Sequence, residues 1–167
     1  MVITGPGEPT MRRDLSELVH AARRGGAVDV VLVTNGRALA YGRVAARLLS
    51  LGLSHVIVTV HRASEDAHDR TTRTPGSYRQ TRAGLANLRS MNERGTTRLI
   101  LRLPGKQPPG DEIVEELASL ASRVGGAALW IDAPAVSGRV THMPVPVLQG
   151  TEVEGFLSHR ERMSRSR

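Results

Sequence analysis

Few side chains in this sequence sit where they could do chemistry, and the first is Glu8. It is the only charged residue in Ile3-Thr4-Gly5-Pro6-Gly7-Glu8-Pro9-Thr10, a loop of glycine and proline that follows a short apolar start. Glycine lets the backbone approach a ligand closely, and proline stiffens the turn. A rigid loop carrying one acid can hold an amino or hydroxyl group, while the same spacing also describes a turn whose glutamate faces water. His61, His68 and Asp69 lie in or beside one polar stretch. They lack a nearby third histidine and any established zinc spacing, so no metal site is assigned. A helix cap or a loop-anchoring hydrogen bond is the expectation for His68 and Asp69. Arg102, at a strand end, can meet a carboxylate or remain solvated. Ser77 has no histidine–carboxylate pair beside it and reads as a helix cap, so no catalytic residue is assigned.

The chain contains no cysteine. That removes disulfides, thiolate metal sites, thiol nucleophiles and cysteine-ligated iron–sulfur clusters from what these 167 residues can supply. A net charge of +7 points first to nucleic acid. The arginines are spread along the chain, however, and the aromatic set (Tyr41, Tyr78, Trp130 and Phe156) is too scattered for base stacking. The tail Arg160 to Arg167 is the best support for a nucleic-acid reading, and the rest of the chain argues against it. No apolar run approaches the roughly 20 residues of a membrane span, and the start is too short and glycine-rich for a signal peptide. A cytoplasmic location is the expectation.

The elements that would position these residues alternate regularly. Met1 to Ile3 is a short apolar strand, and a helix from Asp14 carries Leu15, Leu18, Val19 and Ala22, with Asp14 and Glu17 as a capping box and Gly25-Gly26 as its stop. Asp29 to Thr34 is a β-branched run suited to a buried parallel strand, closed by the tight turn Thr34-Asn35-Gly36, where Asn35 or Gly36 can take the left-handed conformation. A second helix presents Leu39, Val44, Leu48, Leu49 and Leu51. His55 to Val60 is the next strand, followed by a polar loop over His61 to Gly76 and a third helix capped by Ser77. Arg98 to Leu103 is a strand, Pro104 to Gly110 a loop, and a fourth helix starts near Asp111. Ala127 to Asp132 is a further strand, and Pro144 to Leu148 reads as an edge strand or none. A short helix (Glu152 to Arg162) and a basic tail complete the chain, giving a domain over residues 1–150 and an extension over 151–167. Strand–helix alternation implies a parallel α/β sheet of (βα) repeats with right-handed crossovers. Ligands of such sheets bind beyond the carboxyl ends of the strands, where every conspicuous polar loop of this sequence falls.

Taken in order, the loops resemble those of the radical S-adenosylmethionine (SAM) superfamily, from Val2 to about Asp132. TGPGEPTMRRDLSELV resembles the family's glycine–glycine–glutamate–proline motif, with Pro6 displacing its first glycine. VVLVTNGRAL is similar to a third-strand ending of the family's peptide- and cofactor-maturing branch. HVIVTVHRASEDAHDRTTRTPGSYRQTRAGLANL resembles a fourth strand closing on a Ser/Thr, then a His-Asp loop and a Pro-Gly-Ser helix start. The resemblance implies that the (βα) repeats form a partial, incomplete TIM-type barrel, with SAM as a cofactor held by Gly7, Glu8, Pro9, Asn35, Thr59, His61 and Arg102, Glu8 at the methionyl amino group and Thr59 toward the ribose or carboxylate. It also implies an iron–sulfur cluster on a CxxxCxxC loop, which this chain cannot ligate. The expectation is therefore a radical SAM-like domain that is N-terminally truncated or degenerate and not catalytic alone. The alternatives are a piece of a full radical SAM enzyme with a misassigned start, or a non-catalytic scaffold. An exposed first strand would invite a protein partner or self-association.

Overall fold

A computed structural model of the protein describes residues 1–92, 95–105, 107–125, 127–132 and 147–149. Six parallel strands form one sheet in strict sequence order: β1 (Val2–Ile3), β2 (Val31–Thr34), β3 (His55–Thr59), β4 (Arg98–Leu103), β5 (Ala128–Ile131) and β6 (Val147–Gln149). The helices are α1 (Leu15–Arg24), α2 (Gly42–Ser50), α3 (Glu65–Thr72), α4 (Ser77–Met91) and α5 (Asp111–Arg123). Each of β1 to β5 pairs in parallel with the next strand in sequence, the winding of a TIM-type barrel rather than of a doubly wound sheet. Among the described residues, β1 and β6 lie at opposite margins, so the described sheet is an open, partial barrel.

Alternation along the strands separates two faces. Leu32, Val56, Val58, Leu101, Leu129 and Ile131 join Val19, Leu48, Leu85, Leu88, Val114 and Leu117 of the helices in one large apolar cluster. Val31, Ile57, Ile100 and Ala128 point the other way and form a separate small cluster with Val33 and Trp130. Because both faces of these strands are buried, the strand sequences are continuous apolar runs rather than alternating ones.

Several local expectations are corrected. Asp14 makes no side-chain cap to α1, because Arg12 takes its carboxylate in a two-pronged contact at 2.7 and 3.0 Å. The second helix is not continuous from Leu39 to Leu51. Arg37–Ala40 forms a 3₁₀ turn, and α2 starts after Tyr41. The break has a cause in α4, where Asn87 Nδ2 donates to the carbonyls of Leu39 and Ala40 at 2.9 and 3.0 Å. The polar stretch His61 to Gly76 is not all loop, since α3 occupies Glu65–Thr72. Its buried residue is His68 rather than an aliphatic one, so apolar periodicity gave no sign of it. Gly76, not Ser77, caps α4. Ser77 is its first residue, and its hydroxyl donates to Asp69 Oδ1 at 2.8 Å. The same carboxylate accepts from the amides of Gly76 and Tyr78, so Asp69 anchors the start of α4 as expected of the His68-Asp69 pair. β6 is an edge strand of the described sheet, parallel to β5. Residues 144–146, the expected helix Glu152 to Arg162 and the basic tail lie outside the described residues. Among the described residues, no helix is long and apolar enough to cross a membrane.

Candidate functional site

The loops after β1 and β2 meet through the Glu8 carboxylate. Glu8 caps the 3₁₀ turn Pro9–Met11, which begins on the rigid φ of a buried proline. Its Oε1 accepts from the Thr10 amide at 3.0 Å, the Thr10 hydroxyl at 2.7 Å and the Thr34 hydroxyl at 2.6 Å. Among the described residues, its Oε2 accepts from the Asn35 amide alone, at 2.8 Å. A carboxylate has about four acceptor positions, two per oxygen. Oε1 is thus crowded, while Oε2 retains capacity for one more donor. Gly5 and Gly7 stand in open space, with no heavy atom within 4 Å of where a Cβ would sit.

The turn that supplies Thr34 and Asn35 is held from the helix side. Gly36 takes the left-handed conformation at φ 74°, while Asn35 does not. Asn35 instead accepts from the Arg37 amide through Oδ1 at 2.9 Å, and the Thr81 hydroxyl of α4 donates to its carbonyl at 3.0 Å. Gly84 lets α4 come close, since a Cβ there would sit 2.3 Å from the Gly36 carbonyl oxygen.

Further along the same edge, Thr59 and Arg102 pair in the β3–β4 register, and Arg102 pairs with Trp130 across β4–β5. Two residues beyond Ile57, Ile100 and Ala128 on their strands, these three belong to the face turned away from the main helix-packed core. Arg102 grips Asp132 through Nε and Nη2 at 2.9 and 2.7 Å and lies 5.0 Å from the Trp130 ring centroid. The carboxylate that Arg102 could meet is thus supplied within the chain.

His61 turns toward the helix side instead. It lines a small cavity with Leu103, Pro104, Gly105, Ile113 and Ile131, and its ring meets that of His68 edge-on at 5.5 Å. Burial holds the His61 imidazolium below its ordinary range, and the neighbouring charge of His68 adds to this. Burial likewise lowers His68, whose ring lies 5.5 Å from Tyr78. Tyr78 is pushed up by burial, and its hydroxyl donates to the Ala63 carbonyl.

The structure therefore unites Glu8 with Asn35, places Thr59 beside Arg102 at the same strand ends, and separates His61 from both groups. Thr10, Thr34 and Trp130 are partners that sequence reasoning did not single out. Thr34 closes a predicted strand immediately before a turn, and that position was the available signal.

The chain matches the sequence profile of the radical SAM superfamily over residues 1–121. It is 35% identical over 77 residues to a probable GTP 3',8-cyclase of Metallosphaera sedula, covering 46% of this chain and 23% of that protein. It is 39% identical over 70 residues to a probable GTP 3',8-cyclase of Saccharolobus solfataricus, covering 42% and 22%. With the AdoMet-dependent heme synthase of Methanosarcina barkeri it shares 32% identity over 89 residues, covering 53% and 25%. The aligned segments thus span about a quarter of the length of these relatives. Full enzymes of the family use SAM with an iron–sulfur cluster. The donor set here does not fit the cluster, because these 167 residues offer no thiolate. The profile match covers most of the chain and coincides with its parallel βα repeats and strand-end loops, so the chain belongs to the radical SAM superfamily.

Proposed function

We propose that this chain forms a SAM-holding portion of a radical SAM-type domain, with Glu8 as the acceptor for the methionyl ammonium. One observation carries the reading. The Glu8 carboxylate is fixed at the strand ends by its Oε1 contacts and keeps acceptor capacity on Oε2. An ammonium has donors and no acceptor, so it complements that oxygen. Gly7 and Pro9 shape the loop, Asn35 contributes its amide to Glu8, and Thr59 and Arg102 offer polar atoms toward the remainder of the ligand. SAM supplies a sulfonium whose reductive cleavage is the radical chemistry of full family members, and this chain contributes binding and orientation. On this reading the 167 residues work as part of a larger radical SAM enzyme of the cofactor- or peptide-maturing kind, as the likeness to a GTP cyclase and a heme synthase supports.

Calorimetric titration of the chain with SAM tests this. Saturable binding that falls at least tenfold in Glu8→Gln is expected, since the amide places a donor where the ammonium needs an acceptor. Absence of binding by the unsubstituted chain overturns the reading.

A second reading rests on β1. Val2 is 54% exposed on this marginal strand, an arrangement that invites strand pairing. On this reading the chain is a scaffold that pairs with a partner strand or a second copy. Light scattering across a concentration series decides self-association, and a constant monomer mass removes it.

A further inference from the structure

The asymmetry of the Glu8 carboxylate has a source in Thr34. Thr34 is 2% exposed at the end of β2, so its hydroxyl has no access to bulk water. That hydroxyl donates its one proton to Glu8 Oε1 at 2.6 Å and accepts from the Gly36 amide at 3.0 Å. The accepted bond fixes the hydroxyl rotor, and the donated bond fixes one carboxylate oxygen. With the two Thr10 donors also on Oε1, the oxygen left for a ligand is Oε2, beside the Asn35 amide. A single available oxygen suits a point-like primary ammonium. A guanidinium, whose planar fork seeks both oxygens of a carboxylate, finds one of them taken.

We infer that Thr34 is a positioning residue that makes Glu8 a one-oxygen acceptor selective for a primary ammonium. The inference rests on the SAM-binding reading for its ligand, but the clasp itself is a property of the chain's own residues. The hydroxyl acts through Glu8 and touches no ligand. Removing it frees Oε1 in part and lets the carboxylate rotate away from the orientation set by Thr10 and Asn35.

The test compares the full chain with Thr34→Val, which keeps the shape without the hydroxyl, and Thr34→Ser, which keeps the hydroxyl. SAM and methylthioadenosine, which lacks the methionyl ammonium, serve as probes. Thr34→Val should weaken SAM binding about tenfold, the size of one hydrogen bond to a charged group. Methylthioadenosine should bind the variant and the original chain alike, and Thr34→Ser should restore SAM binding. A purely structural role would instead weaken both probes together, and that result overturns the inference, as does unchanged SAM binding in Thr34→Val. If the original chain binds neither probe, the SAM reading fails, and amide hydrogen exchange then decides the clasp by itself. Faster exchange at the Thr10 and Asn35 amides in Thr34→Val, with Ile100 and Leu101 unchanged, upholds it. Unchanged exchange at Thr10 and Asn35 removes it.

Discussion

The His61–His68–Tyr78 cluster, on the helix side of the strand ends, gives the chain a pH response at the level of single side chains. His68 is buried, and among the described residues its Nδ1 has no hydrogen-bond partner, so charging the ring would bury an unpaired N–H. Burial lowers its pKa from the ordinary 6.5. The Arg62 backbone and Asp69 oppose that lowering, and the charge of Arg37 reinforces it. His61 shifts in the same direction. Between the folded values and 6.5, the unfolded chain binds more protons than the folded one. The stability from these rings is therefore complete above about 6.5 and is lost as pH falls through the folded values. The urea midpoint should drop between pH values of about 8 and 5, and His68→Gln should shrink that drop. An identical drop in the variant would assign the response elsewhere. Asp69 titrates in a separate window. The Tyr78 amide, first among several donors, holds its carboxyl below the ordinary 3.8, so its contribution is present above that value and lost only at more acidic pH.

Between elements, the contact between α4 and the turn after β2 decides where the site stands. Gly84 allows backbone to pack on backbone. A methyl group there would press to 2.3 Å from the Gly36 carbonyl and 3.0 Å from Leu39 Cβ. Neither neighbour is the free end of a flexible chain, so α4 must shift. Gly84→Ala should destabilise the fold by about 3 kcal/mol in chemical denaturation, the upper part of the usual overpacking range. It should also displace Thr81 from the Asn35 carbonyl and so weaken SAM binding. Gly5→Ala, with nothing nearby, should leave the denaturation midpoint almost unchanged. That contrast separates packing from a general intolerance of added methyl groups. The interrupted second helix has the same origin. Asn87 lies 48 and 47 residues beyond the carbonyls it binds, so no local window could show the break.

At the scale of the whole sheet, the described residues form an open array of strands with β1 at an accessible margin. Met1 and Val2 are 52% and 54% exposed, and the β1 backbone pairs with β2 on one side. If the second reading holds, Val2→Lys should abolish concentration-dependent mass in light scattering, because a charged side chain on a marginal strand opposes strand addition. An unaltered mass distribution in the variant would place any association elsewhere. The parallel strands were readable because β2 to β5 are compact apolar runs, the pattern of strands buried on both faces, and the barrel winding came with the family resemblance. α3 was not readable, because its single buried residue is a histidine in a polar stretch.

The amino-acid sequence by itself determined the alternation of strands and helices, and with it the gathering of the polar loops on one edge. Parallel strands joined by crossovers all end on the same side, whatever their side chains do. It also determined the absence of thiolates, since composition does not depend on folding. Only the tertiary structure decided which strand-end groups meet. Glu8 and the Thr34 hydroxyl are 26 residues apart, and Arg102 and Asp132 are 30 apart. The loop after β1 carries Glu8 to the end of β2, and the chain leaving β5 carries Asp132 to Arg102, while His61, two residues past Thr59, packs on the helix side. Side-chain direction at a strand end depends on where the chain leaves the sheet, and packing with distant helices sets that point.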